Sequence, residues 1–156
     1  MPSLVRVAHD EPRLDRLLQL YMHEWSALVP TAIGADARYV YPTLSAWADQ
    51  ARHAAYLLLD ADDRPLGFAL VAIDDDGVAH VEEFFVIAGA RRHGVGATAA
   101  HALFATHAGA WSWTVRPENP AALAFWKRIA PTATVTAEPG RDGVVRTRMR
   151  LERSGT

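Results

Sequence analysis

Residues 81–97 read Val-Glu-Glu-Phe-Phe-Val-Ile-Ala-Gly-Ala-Arg-Arg-His-Gly-Val-Gly-Ala, and no other stretch limits the fold as strongly. Val78 to Ile87 is an apolar-rich run with two carboxylates, Glu82 and Glu83, set into it, and it predicts a central strand. A basic glycine loop, Arg91 to Gly96, follows a short Ala-Gly-Ala link, and an alanine-rich helix is expected from Val95 to about Ala108. Strand, basic glycine loop and helix in that order suit a bound phosphate. A helix start leaves about four backbone N–H groups unpaired at the positive end of the helix dipole. Glycine at 94 and 96 removes the Cβ atoms that would keep an anion away from those groups. Arg91 and Arg92 add attraction for a polyphosphate. A plain connection that needs glycine and carries surface arginines would have the same composition, so the loop has to be discriminated by its wider pattern.

Two patterns overlap in it. Gly94-Val-Gly-Ala-Thr-Ala99 fits the dinucleotide fingerprint G-x-G-x-x-[GA]. That fingerprint belongs at the first strand-helix turn of a long alternating unit, with a ribose-binding acid about 20 residues on. Here only about 60 residues follow the loop, and the acid near that distance is Glu118, in a proline-flanked loop. The lysine-bearing phosphate loop is absent. Arg91, Gly94 and Gly96 instead occupy the fixed positions of [QR]-x-x-G-x-[GA].

In that form, Phe85 to Gly96 resembles the acetyl-CoA-binding signature of the GNAT acetyltransferase superfamily. Asn119-Pro-Ala-Ala-Leu-Ala-Phe-Trp-Lys-Arg-Ile129 resembles the late motif of the same superfamily, an Asn, then Ala, then an aromatic pair. The stretch from Glu82 to Val86 and this late motif look most like the polyamine acetyltransferase branch. The resemblance implies an α/β fold with a mixed central sheet of about six to seven strands flanked by helices, in a single domain over residues 1–156. It implies acetyl-CoA as co-substrate, held by the Arg91, Arg92, His93, Gly94, Val95, Gly96 and Ala97 loop, by the backbone of Phe85 and Val86, and by Asn119 and Trp126. The function it implies is N-acetyl transfer to a primary amine of a small molecule, with an acyl-CoA-binding sensor or, more remotely, an NAD(P)-binding oxidoreductase as the alternatives.

Composition agrees with a compact enzyme. At 156 residues the chain can bury a sizeable core, and half of it is hydrophobic with 22% charged. The formal net charge of −2 gives no reason to expect a nucleic-acid or membrane partner. No cysteine is present, so neither a disulfide nor a thiol nucleophile enters. The seven histidines are scattered without metal-ligand spacing, and no metal is expected. Without an apolar leader or a run of spanning length, a cytoplasmic protein is expected, its partner a small amine, and a homodimer is compatible with the resemblance.

Along the chain, Leu4 to Ala8 reads as a short strand. Asp10 is the expected cap of a helix with Pro12 in its first turn and a stripe of Leu14, Leu18, Tyr21, Trp25 and Leu28. Gly34 to Ala55 has no clear period, and a second or broken helix capped by Ser45 is expected there. Strands follow at Tyr56 to Leu59 and Leu66 to Ile73, with the aspartate clusters at 60–63 and 74–76 as solvated turns. Trp111 to Val115 is a strand, and Asn119 caps a helix with Pro120 first and Leu123, Trp126 and Ile129 buried. Thr132 to Ala137 and Val144 to Leu151 are a closing strand pair.

Acetyl transfer to an amine sets the remaining expectations. An alkylamine arrives protonated, since its pKa lies near 10, and something must take the proton before nitrogen attacks. Glu82 is the expected base, matched to the glutamate that serves the polyamine branch, with Glu83 as the alternative. Strand alternation points them to opposite faces, and partial burial of Glu82 is expected to raise its pKa. Trp126 stands where many relatives carry a tyrosine able to protonate the departing sulfur, and an indole N–H is a donor only. Ala130-Pro131 also replaces a commoner Gly-Phe pair. Tyr39 and Tyr41, outside any clear period, are expected to line the acceptor pocket, where ring faces attract a cation. Tyr21 and Trp25 are expected in the core.

Overall fold

A computed structural model describes residues 1–153. Seven strands form one sheet: β1 Ser3–Val7, β2 His53–Leu59, β3 Pro65–Ile73, β4 Ala79–Val86, β5 Trp111–Val115, β6 Thr134–Pro139 and β7 Val145–Leu151. Their spatial order is β1-β2-β3-β4-β5-β7-β6. Every neighbouring pair is antiparallel except β4 and β5, which run parallel. Helix α1, Pro12–Ser26, lies on one face, and α2, Val95–Ala105, with α3, Pro120–Ile129, on the other. This is the mixed, helix-flanked sheet expected from the sequence. A mostly antiparallel sheet with one parallel pair is not the alternating parallel unit of a dinucleotide-binding fold, which disposes of the fingerprint reading of Gly94 to Ala99.

The core is split by the sheet. On the α1 face Leu14, Leu17 and Leu18 meet Leu57, Phe68, Leu70 and Phe85. On the other face Leu103 and Phe104 of α2 and Trp126 of α3 meet Val71, Val81, Trp111 and Trp113. Strands that alternate cleanly between two apolar layers place their neighbours within reach of either layer.

Two local irregularities open the sheet where chemistry can occur. β4 and β5 are in register only at Ala79 with Trp111 and His80 with Ser112, and beyond that they part. Opposite Leu70 and Val71, β4 carries one extra residue: Leu70 pairs with Glu83 and Val71 with Val81, leaving Glu82 as a β-bulge. The bulge resets the alternation, so Val81 and Phe84 both belong to the α2–α3 side, while Phe85 belongs to the α1 side.

Several expectations are corrected. The α1 cap is Glu11, not Asp10; Pro12 takes the first helical position, so the residue before it accepts from the Arg13 N–H at 3.2 Å. Residues 34–52 hold no second α-helix, only a short 3-10 turn at Leu44–Ala48 that follows Thr43, and β2 starts earlier than expected, at His53. That segment is fixed from outside: Trp47 is buried, and its indole N–H donates to the Val71 carbonyl at 3.1 Å. Asn119 does cap α3, its Oδ1 accepting from the Ala122 N–H at 3.2 Å, with Pro120 first. The aspartate clusters are turns, Asp60 and Asp74 each accepting from two backbone N–H groups downstream. Among the described residues no helix is long and apolar enough to cross a membrane, and no group of acids and histidines could hold a metal ion.

Candidate active site

The parting of β4 and β5 leaves two clefts, of about 560 and 480 Å3, that share Tyr21, Trp25, Phe84, Asn119 and Ala122 as walls. The smaller cleft runs along the loop between β4 and α2. Gly94 sits at the α2 N-terminus with φ +76°, and Arg92 has φ +67°, both left-handed. For arginine that conformation is uncommon; for Gly94 it is the reason for glycine, since a Cβ there would meet nothing within 4 Å. Gly96 has a different reason. A Cβ at 96 would lie 3.2 Å from Cε2 of Phe125, so its bare backbone lets α2 pack against α3. The first turn of α2 ends the loop with Val95, Gly96 and Ala97, whose N–H groups have no intrahelical carbonyl to bond.

Charge in this cleft is distributed differently from the expectation. Arg91 is an internal clamp: its Nε donates to the Val86 carbonyl at 2.8 Å, and its guanidinium pairs with Glu24 of α1 at 2.7 Å while lying over the Phe85 ring. Arg92 and Arg128 also line the cleft and have no ion-pair partner among the described residues. Val95 turns inward against Val86 and Ala99, and His93 is exposed and lies off the cleft lining. Phe125, not Trp126, is the aromatic that α3 turns to this side. An open helix start, two glycines and two free guanidinium groups fit the diphosphate of a CoA-type ligand.

The larger cleft contains both strand carboxylates. Glu82, on the bulge, is exposed, which corrects the expected burial. Burial falls on Glu83. Tyr21 donates its hydroxyl to Oε2 of Glu83, and Tyr41 donates to Oε1 at 3.0 Å. Desolvation pushes the Glu83 pKa up to about 7 against the lowering effect of the two tyrosine hydrogen bonds, and the Glu82 charge pushes it further the same way. Both tyrosine hydroxyls are themselves driven well above their ordinary range, first by burial and then by the Glu83 charge. The alternation of β4 does not keep the two acids apart as expected, because the bulge brings both to one cleft.

Tyr41 lines this cleft, but Tyr39 does not: it lies beside the outer end of α1, its hydroxyl 3.3 Å from Nδ1 of His23 and its backbone bonded to Gln19. Tyr21, expected in the core like Trp25, lines both clefts with it. Its ring does pack edge-on to Phe68 and Phe85, but its hydroxyl reaches the site. The available signal is that the stripe changes from leucine at 14 and 18 to the polar-tipped aromatics Tyr21 and Trp25. Trp126 is 6% exposed, borders this cleft and packs against Trp113 and Phe84. Trp113 lines the cleft too, and its buried Nε1 has no hydrogen-bond partner among the described residues.

Residues 14–130 match the model of the acetyltransferase (GNAT) family. The chain belongs to that family. It is thus an acetyl-CoA-dependent N-acetyltransferase. Solved structures with the same fold include a spermidine N-acetyltransferase of Vibrio cholerae in complex with CoA and spermine (TM-score 0.72, 12% identity, covering 97% of this chain and 95% of that one). An acetyltransferase of Thermus thermophilus aligns at TM-score 0.69 and 18% identity over 97% of each chain. The ribosomal-protein-S18-alanine N-acetyltransferase of Escherichia coli aligns at TM-score 0.65 and 19% identity, over 100% of this chain and 96% of that one. The sequence matches no curated protein.

Two outcomes follow for this GNAT chain. Gly96→Val should weaken coenzyme A binding at least about tenfold and also lower the melting temperature of the free protein, since the new side chain must displace Phe125; calorimetry and thermal denaturation read the two effects. The second concerns pH. Because folding raises the Glu83 pKa from 4.5 to about 7, the native state holds a proton that the unfolded chain releases between those values. Stability therefore falls as pH rises through that window, by on the order of 3 kcal/mol in full. Glu83→Gln should abolish this slope, so its stability relative to wild type should rise from pH 5 to pH 8 in denaturant titrations.

Proposed function

We propose that this protein transfers the acetyl group of acetyl-CoA to a primary amine of a small molecule by direct attack, and that Glu83 takes the amine's proton. The observation that carries this reading is a largely buried carboxylate with its pKa pushed up to about 7, in the larger cleft and hydrogen-bonded to Tyr21, which lines both clefts. The co-substrate supplies an acetyl thioester; the residues of this chain supply its seat and the proton chemistry.

The smaller cleft seats the diphosphate by the α2 N-terminus with Arg92 and Arg128, while Arg91 holds the loop to α1 and β4. In the larger cleft the amine arrives as a cation, pKa near 10, and the exposed Glu82 and the rings of Tyr41 and Trp25 favour its approach. Glu83, ionised above about pH 7, accepts the proton. Tyr21 and Tyr41 orient its oxygens.

Negative charge developing on the thioester oxygen needs a fixed N–H donor. Ile87 donates its N–H to Leu66 at 2.8 Å, toward β3. By strand alternation the N–H groups of Val86 and Phe84 point the other way, into the gap beside β5. The Val86 carbonyl, which accepts from Arg91, points that way as well. Val86 is the donor in this reading, refining the expected Phe85–Val86 pair. The departing thiolate takes its proton from solvent. Trp126 is no acid, and the Tyr21 and Tyr41 hydroxyls are committed to Glu83 with pKa values raised far above a thiol's ~8.5.

The test is the pH profile of kcat/KM for CoA release with any amine that is turned over. Wild type should show an inflection near pH 7. Glu83→Gln should lose that inflection and fall roughly a hundredfold at neutral pH, with unchanged coenzyme A affinity and partial recovery at high pH, where more amine is free base. The matched Glu82→Gln change should cost far less. A large loss in Glu82→Gln with a small one in Glu83→Gln would assign the base to the bulge residue instead.

A further inference from the structure

The larger cleft is bipolar. Glu82 and Glu83 stand on its β4 wall, and Arg116 and Arg146 stand across it. Strand register explains why two arginines so far apart in the chain meet there. Val115 of β5 pairs with Thr147 of β7, so Arg116 and Arg146, one residue beyond each, lie at the same end of neighbouring strands. Counted from the paired Ala79 and Trp111, Glu83 stands about level with Thr114 and Val115. The arginines therefore lie one to two residues further, at about 3.3 Å per residue, across the gap that the parting strands leave.

Resting on the acetyltransferase reading, we infer that the acceptor is an amino acid, whose carboxylate is received by Arg116 and Arg146 while its amine faces Glu83. Both guanidinium groups are fixed before any ligand arrives. Arg116 forks onto Glu118 at 3.2 Å and reaches Asp142 at 3.0 Å; Arg146 forks onto Asp142 at 2.8 and 3.0 Å. Their side chains are only 20% and 21% exposed. Immobilised arginines lose little further freedom on binding a carboxylate, and the planar fork suits it. Donors remain for that purpose. Nε of Arg146 has no acceptor among the described residues, and Arg116 uses each of its nitrogens once, leaving two N–H bonds.

Charge selects the ligand. Glu118 and Asp142 balance the charge of the two arginines from behind without lining the cleft, so the cleft meets the guanidinium side of the cluster. A single carboxylate takes the N–H groups left open there, and Glu82 and Glu83 opposite disfavour a more highly charged anion. A polyamine would instead bring a second ammonium against two guanidinium groups, a like-charge contact that works against it.

The experiment compares amino acids with their decarboxylation products, lysine with cadaverine and phenylalanine with phenethylamine, by CoA release. Wild type should prefer the better amino acid over its decarboxylated partner by at least about tenfold in kcat/KM, the scale of one well-made charged contact. Arg146→Met, which leaves Asp142 paired with Arg116, should reduce that preference to below about threefold while thermal denaturation reports a folded protein. Decarboxylated amines turned over as well as the amino acids, or a preference that survives Arg146→Met, would overturn the proposal. The wild-type ratio decides it even without the variant. Release with neither kind of amine, despite coenzyme A binding, would overturn transfer to small amines itself and this proposal with it.

Discussion

The bulge at Glu82 reverses the side-chain alternation of β4 in mid-strand, and that reversal sets which groups share the site. Without it, the residue after Glu82 would follow Val81 onto the α2–α3 face and enter the tryptophan cluster. With it, Glu83 turns to the α1 face under Tyr21 and Tyr41, and Phe84 packs toward Phe125 and Trp126 instead. A carboxylate is thereby taken out of water and given only two neutral hydroxyl donors, too little to cancel the desolvation, so its pKa rises. The extra residue itself stays exposed and contributes charge without being buried.

The parting of β4 from β5 is the companion constraint. The antiparallel neighbour β3 holds β4 on one side from Ala79 to Val86, while on the other side the parallel partner leaves after two residue pairs. One edge of β4 is thus free inside the protein, with backbone N–H groups available and the two clefts meeting at Phe84. α1 closes the junction from above: Glu24 grips Arg91, and Tyr21 grips Glu83, so one helix braces both the loop before α2 and the carboxylate.

What the sequence makes legible is what local chemistry decides. Asn119-Pro120 is demanded by the start of α3 and reads correctly from its neighbours alone, whereas Gly94 answers a left-handed backbone, a reason other than the anion approach expected of it. The loop between β4 and α2, the strand-helix order and the closing hairpin follow from similarly local signals. The bulge does not, because it exists only through pairing with β3; this is why the two glutamates exchange the burial expected of them. Tyr21 was hidden by a helical stripe that serves core and site together, and Arg91 by an ion pair with a residue 67 positions away. Residues 34–52 lack a period because Trp47 anchors them to the sheet rather than any repeat of their own. The meeting of Arg116 with Arg146 needs the β5–β7 register, which no motif spells out.

The central claim is that Glu83 is a desolvated carboxylate that changes protonation in the neutral range. Carbon-13 NMR of the side-chain carboxyls, assigned through Glu83→Gln, measures this directly in the free protein. The Glu83 carboxyl carbon should titrate with a midpoint near pH 7. A midpoint between about pH 4 and 5, the range of an ordinary glutamate, would contradict the account and remove Glu83 as the group poised to take the proton.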